Sequence, residues 1–127
     1  MSPIVHFEMP AKDKKRVAKF YASAFGWGMQ VLGPEMKHYV LATTTPVDKN
    51  GMHKKKSAIN GGFYQRGEFG KVPHLVISVD DLKKHIAIVK KSGGKILGEP
   101  MDIPGIGKYV SFQDTEDNRV GMLQPSR

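Results

Sequence analysis

The sequence contains no cysteine. That excludes a disulfide framework, a thiol nucleophile and any cysteine-ligated zinc or iron–sulfur site. No apolar run approaches the roughly 20 residues that a membrane helix needs, so no membrane association is expected. Acidic side chains are scarce beside basic ones, with 12 Asp and Glu against 20 Lys and Arg and a formal net charge of +8. Met1-Ser2-Pro3 leads directly into a strand-like segment without the charged and apolar regions of a signal peptide, and a cytoplasmic home is the expectation. Neither a Ser-His-Asp order nor a paired-carboxylate glycosidase signature stands out. The Gly105–Gly107 pair is not a phosphate loop, because it lacks a third glycine and a following helix.

What remains is a chain of 127 residues, 39% hydrophobic and 25% charged, which suits one soluble domain. The basic residues fall in short clusters, Lys12/Lys14/Lys15/Arg16, Lys54-Lys55-Lys56, Lys83-Lys84 and Lys90-Lys91, with no aromatics between them. This dispersal reads as solvated helix faces and a loop and disfavours nucleic acid as a partner. The net charge suits an anionic small-molecule ligand.

Hydrophobic patterning divides the chain into one motif written twice. Pro3 to Met9 reads as a strand bounded by Pro10, and Asp13 can cap a helix with Val17, Phe20, Tyr21, Ala24 and Phe25 at helical spacing, stopped by Gly26. Phe25 and Trp27 are expected to pack in the core. Short strands are expected at about Met29–Leu32, Lys37–Thr43 and Ser57–Tyr64, with a surface loop from Thr44 to Lys56 that contains His53. In the second half, Pro73 to Val79 reads as a strand, and Asp80 or Asp81 caps a helix with Leu82, Ile86 and Val89 on its apolar face, ended by Gly93-Gly94. Strands at Lys95–Gly98, Lys108–Phe112 and Arg119–Leu123 follow, with Glu99 to Gly107 as a loop.

Laid over one another, the halves match His6 to His74, a shift of 68, and Tyr39 to Tyr109, a shift of 70. The expected fold is α+β: two βαβββ modules, about residues 1–66 and 70–127, forming a curved eight-strand sheet around a ligand cleft, with the helices on the outer face. Tyr39 and Tyr109 can point into the cleft, but strand tyrosines are common enough that core packing is the favoured reading. His38 and His85 are expected at the surface.

In this order, the motifs Val5-His6-Phe7-Glu8-Met9-Pro10, Lys19-Phe20-Tyr21-Ala22-Ser23-Ala24-Phe25-Gly26-Trp27, His74-Leu75-Val76-Ile77-Ser78-Val79-Asp80-Asp81 and Asp114-Thr115-Glu116-Asp117-Asn118-Arg119-Val120-Gly121 resemble the glyoxalase / bleomycin-resistance / extradiol-dioxygenase (vicinal oxygen chelate) superfamily over nearly the whole chain. Asp102 to Gly107 resembles a subgroup of small glyoxalase-like proteins. The resemblance implies one divalent metal (Zn, Ni, Mn or Fe) in the cleft, held by residues on the first and fourth strands of each half, and a homodimer. His6 and His74 fall on the first-strand ligand positions. The carboxylate positions are not filled: Gly121 stands seven residues after Asp114, and the 57–64 strand carries no acid. Glu8, two residues from His6 on a strand, faces the same way and can complete a His6–Glu8–His74 triad or act as the base. Alternatively the three groups hydrogen-bond or bind a ligand without metal, or serve packing or a dimer contact. The functional expectation is a lyase- or isomerase-like enzyme, related to lactoylglutathione lyase, acting on a small oxygenated metabolite. The alternative is a metal-free small-molecule-binding protein using the same cleft. A cationic bleomycin-type drug suits a basic chain poorly.

Overall fold

The computed structural model describes residues 1–46, 58–67 and 70–126. His53, Lys54-Lys55-Lys56 and the start of the expected 57–64 strand lie outside them. The protein is α+β, with eight strands of mixed direction and, among the described residues, two α-helices. Each half has the expected strand–helix–strand–strand–strand order: β1 (Ile4–Ala11), α1 (Lys14–Phe25), β2 (Gly28–Val31), β3 (Val40–Thr43) and β4 (Asn60–Gln65), then β5 (His74–Ser78), α2 (Leu82–Lys91), β6 (Lys95–Ile103), β7 (Gly107–Gln113) and β8 (Arg119–Pro125). A single 3-10 turn, Pro34–Met36, precedes β3. No described helix is long and apolar enough to cross a membrane.

The chain forms two compact units, His6–Pro73 and, for the rest, Met1–Val5 with His74–Arg127. The first few residues belong with the second half because the Pro3 carbonyl accepts a hydrogen bond from the Ser78 N–H at 2.9 Å. In the first unit the strand order is β2-β3-β4-β1, and in the second β5-β8-β7-β6. The pairs β1/β4 and β5/β8 are parallel, and each closes a crossover that contains the module's helix. The remaining pairs are antiparallel.

Both helices begin where the sequence places a cap. The Asp13 carboxylate accepts from the Arg16 N–H, and the Asp81 carboxylate from the Lys84 N–H, each at 3.0 Å. These bonds satisfy N–H groups that the first helical turn leaves without a partner. Gly26 ends α1 in the left-handed conformation, φ 72°, with its N–H on the Ala22 carbonyl.

The first unit's core is Ala11, Val40, Ala42 and Phe63, packed by Phe7, Met9, Val17, Ala18, Tyr21, Trp27 and Met29. Tyr21 stacks on Trp27 with centroids 4.6 Å apart and lies 5.4 Å from Phe63. The second core is mostly aliphatic: Val79, Leu82, Val110 and Met122, with Ile77, Ile86, Val89, Ile96 and one aromatic, Phe112, against it. Full burial of such a side chain stabilises the fold by about 1.5–3 kcal/mol.

Three expectations are corrected. Phe20 and Phe25 are exposed, at 56% and 64%. The core-facing stripe of α1 is the half-buried Val17, Ala18 and Tyr21, so both phenylalanines fall on its flank. β3 starts at Val40, later than Lys37, because Lys37 and His38 adopt left-handed conformations (φ 53° and 56°) that break an extended chain. β6 does not stop at Gly98; it runs on to Ile103 through a register shift between Leu97 and Met101. Of the two histidines expected at the surface, His38 is exposed and His85 is half-buried.

Candidate functional site

Strand alternation sorts each module into a helix-facing and an opposite face. On β1, Phe7, Met9 and Ala11 join the core against α1. His6 and Glu8 therefore share the other face, as their spacing predicts. β4 follows in register, with His6 beside Asn60 and Glu8 beside Gly62. The next strand contributes Tyr39, which stands immediately before β3. A chain reversal sets its position, with the Tyr39 N–H on the Met36 carbonyl at 3.0 Å.

The Tyr39 ring lies across Gly62. A Cβ at position 62 would overlap the ring and its hydroxyl, so this strand position has to be glycine while the tyrosine lies there. The hydroxyl reaches the two β1 side chains: it donates to Glu8 Oε2 at 3.1 Å and stands 3.1 Å from His6 Nε2. A phenol has one hydrogen. With that hydrogen on the carboxylate, the contact with His6 is satisfied when Nε2 carries the proton and donates to the phenol oxygen. The result is a hydrogen-bonded row, imidazole to phenol to carboxylate, half-buried on the sheet face away from α1. Asn60 fixes the neighbouring chain, since its side-chain oxygen accepts from the Thr44 and Thr45 N–H groups at 2.7 and 3.1 Å.

The second module builds a related arrangement from other chemistry. Ile77, Val110 and Met122 face α2. His74, Val76, Gly121, Tyr109 and Ser111 share the opposite face, with Val76 and Ser111 both in register with Gly121. Tyr109 lies across Gly121, and a Cβ there would strike its hydroxyl. Ser111 Oγ donates to the Tyr109 hydroxyl at 3.4 Å, and Arg119 Nη2 donates to Ser111 Oγ at 3.3 Å. His74 is buried, at 6% exposure. It stands two residues before Val76, as Arg119 stands two before Gly121, so both occupy the same end of the parallel pair.

Of the candidate residues, His6 and Glu8 are thus brought together through Tyr39, while His74 belongs to the other unit. Sequence reasoning favoured packing over a cleft position for Tyr39 and Tyr109 and did not single out Ser111 or Arg119. The signal that could have found the tyrosines was their matched spacing, combined with a glycine in the last strand of each half.

Residues 3–122 match the Glyoxalase/Bleomycin resistance protein/Dioxygenase superfamily. The chain belongs to this superfamily. A glyoxylase-like domain-containing protein of Didymella fabae is 34% identical over 119 residues, which cover 87% of this chain and 84% of that one. A probable chloroplastic lactoylglutathione lyase of Arabidopsis thaliana is 28% identical over 131 residues, covering 90% of this chain but 33% of that protein. Among solved structures, a methylmalonyl-CoA epimerase in complex with methylmalonyl-CoA and NH4+ superposes with a TM-score of 0.73 at 12% identity, covering 99% of this chain and 96% of the other. The epimerase of Mycobacterium tuberculosis gives 0.70 at 11% identity, with 98% and 88% covered. At these identities the structural likeness concerns the glyoxalase-superfamily fold.

The divalent ion that the superfamily resemblance implies does not fit the residues described. No group of three or more His, Cys, Asp or Glu is gathered among them as metal ligands would be. Gly62 and Gly121 offer no donor side chain, and tyrosine rings occupy the space beside them. The chemistry this face can carry with its own groups is hydrogen-bond donation and proton movement.

Proposed function

We propose that this glyoxalase-superfamily chain is a lyase- or isomerase-like enzyme that moves a proton on a small oxygenated metabolite, with Glu8 as the base and Tyr39 as the hydroxyl donor. The observation that carries the proposal is the Tyr39 hydroxyl, 3.1 Å from both Glu8 Oε2 and His6 Nε2. A carboxylate can take a proton from carbon next to a carbonyl. Once Glu8 has taken up that proton it no longer holds the phenol hydrogen, which can then turn to the oxygen on which negative charge develops. His6 holds the phenol from the other side and keeps its hydrogen directed away from the imidazole. The lactoylglutathione lyase name of one relative and the acyl-CoA ligand of one structural neighbour both suggest carbonyl compounds with an acidic C–H bond.

The test is to incubate the protein with a panel of 2-hydroxy and 2-oxo thioesters in deuterated water. Solvent deuterium should enter the carbon next to the carbonyl, and the exchange should fail in Glu8→Gln while ligand-induced thermal stabilisation persists. Exchange unchanged in Glu8→Gln would overturn the assignment. Elemental analysis of protein purified without added metal runs in parallel. One ion per chain, lost in His6→Ala, would replace this reading with a metal-assisted one.

A second reading, a small-molecule-binding protein without catalysis, is favoured by the rings that fill the space beside both glycines. It predicts thermal stabilisation by a ligand and no deuterium incorporation.

A further inference from the structure

The helix side of the first unit holds a concave feature, on the face of β1 and β4 opposite His6 and Glu8. It is a cavity of about 630 Å³ between the start of α1, the end of β1 and the residues Arg66, Lys71 and Pro73. That volume is within the roughly 300–1,000 Å³ typical of small-molecule sites. Its floor is aromatic, formed by Phe63, Tyr21 and the exposed Phe20. Among the described residues its rim carries four cations, Lys12, Arg16, Arg66 and Lys71, against one carboxylate, Asp13. That carboxylate is engaged as the helix cap.

The walls of the cavity are tied together. The Arg66 N–H bonds the Ala11 carbonyl at 2.9 Å, and Gln65 Nε2 bonds the Lys12 carbonyl at 3.1 Å. On the far side, the Tyr64 hydroxyl donates to the Val72 carbonyl at 3.0 Å, next to Lys71. Backbone anchoring of this kind holds cations from three separate segments around one apolar floor.

We infer that this cavity is a binding site for a small amphipathic anion, a carboxylate or phosphate carried on an aliphatic or aromatic body. The apolar body lies on the aromatic floor, and the charged end meets the arginine and lysine rim, where guanidinium groups can pair with both oxygens of an anion. Neither half of this chemistry suffices alone. Exposed lysines bind inorganic anions weakly, and an uncharged apolar molecule leaves four cations facing one another. The site also gives a role to the Lys12–Arg16 basic cluster, which the proton-transfer reading does not use. It is independent of that reading.

Calorimetric titration of the full chain with octanoate, octanol and inorganic phosphate is the test. Octanoate should bind saturably, and octanol and phosphate at least about tenfold more weakly. The charge reversals Arg66→Glu and Lys71→Glu, checked for an unchanged circular-dichroism spectrum, should each weaken octanoate by about tenfold. His6→Ala, on the opposite sheet face, should leave it unchanged. The inference is overturned by no saturable octanoate binding in the millimolar range, by octanol binding as tightly as octanoate, or by loss of binding in His6→Ala. Failure here leaves the deuterium-exchange test standing, and failure there leaves this one standing.

Discussion

In the first module the tyrosine that crosses the strand glycine meets a carboxylate and an imidazole. In the second it meets a serine hydroxyl with a guanidinium behind it. The cores below these faces also differ, an aromatic stack around Phe63 and Tyr21 in one and mostly aliphatic side chains around Val110 and Met122, with Phe112, in the other. A duplicated frame has thus kept its register and its tyrosine-on-glycine packing while the ionisable groups diverged. Beside its tyrosine the first module has a carboxylate that can take up a proton, and the second has a guanidinium of fixed positive charge, while each also carries a histidine on that face. The backbone plan therefore does not determine what each face can do. A few side chains one strand away from the glycine determine it.

The largest test of this comparison is core truncation. Phe63→Ala should cost about 3–5 kcal/mol in urea unfolding and Met122→Ala about 2–5, with the first the larger, because an aromatic stack leaves the bigger void. Equal costs would mean that the two cores are not energetically distinct. Next, Gly62→Ala and Gly121→Ala should each destabilise by about 1–3 kcal/mol, because the added methyl displaces a tyrosine ring. Tyr39→Ala should relieve the first effect and leave the second untouched, a coupling that a double-mutant cycle measures.

Removing the hydroxyls alone separates the modules further. Tyr39→Phe takes a hydrogen bond from a carboxylate and should cost about 1.5–3 kcal/mol, and double-mutant cycles should find Tyr39 coupled to Glu8 more strongly than Tyr109 is coupled to Ser111 across their 3.4 Å contact. The smallest effect concerns the β7–β8 turn. Hydrogen bonds from the Asn118 side chain, then from the Asn118 and Glu116 N–H groups, hold the Asp114 carboxyl below its usual range. A lowered pKa favours the folded state above the ordinary carboxylate range, and that contribution fades as pH falls through the lowered value. Asp114→Asn should therefore lower stability slightly at neutral pH and flatten the acid limb of the stability curve, the variant and the parent converging as pH falls through the lowered value. No counterpart caps the first module in this way among the described residues.

Much of the frame was legible because local chemistry decided it. Asp13 and Asp81 are good caps in any context, and Gly26 supplies a conformation that other residues adopt at a cost. The end of β6 was not legible. Gly98, Glu99 and Pro100 together read as a loop, yet β6 pairs with β7 alone, and an edge strand tolerates a proline that has no N–H to give. A register shift beside Gly98, φ 79°, absorbs the irregularity. Within the site, alternation sufficed to place His6 and Glu8 on one face. Tyr39 needed tertiary information, because its role depends on a ring reaching across β4 from a tight reversal. Nothing in a single strand's pattern distinguishes that from a tyrosine buried for packing.

The ring over Gly62 also constrains how this surface can change over generations. Any larger residue at 62 is obstructed while the aromatic is present, and loss of the aromatic alone uncovers bare backbone beside an acid. Each substitution is unfavourable until the other has occurred, so the two positions should drift as a linked pair. A lineage acquiring a new donor on that strand must pass through a weakened intermediate or gain both changes together.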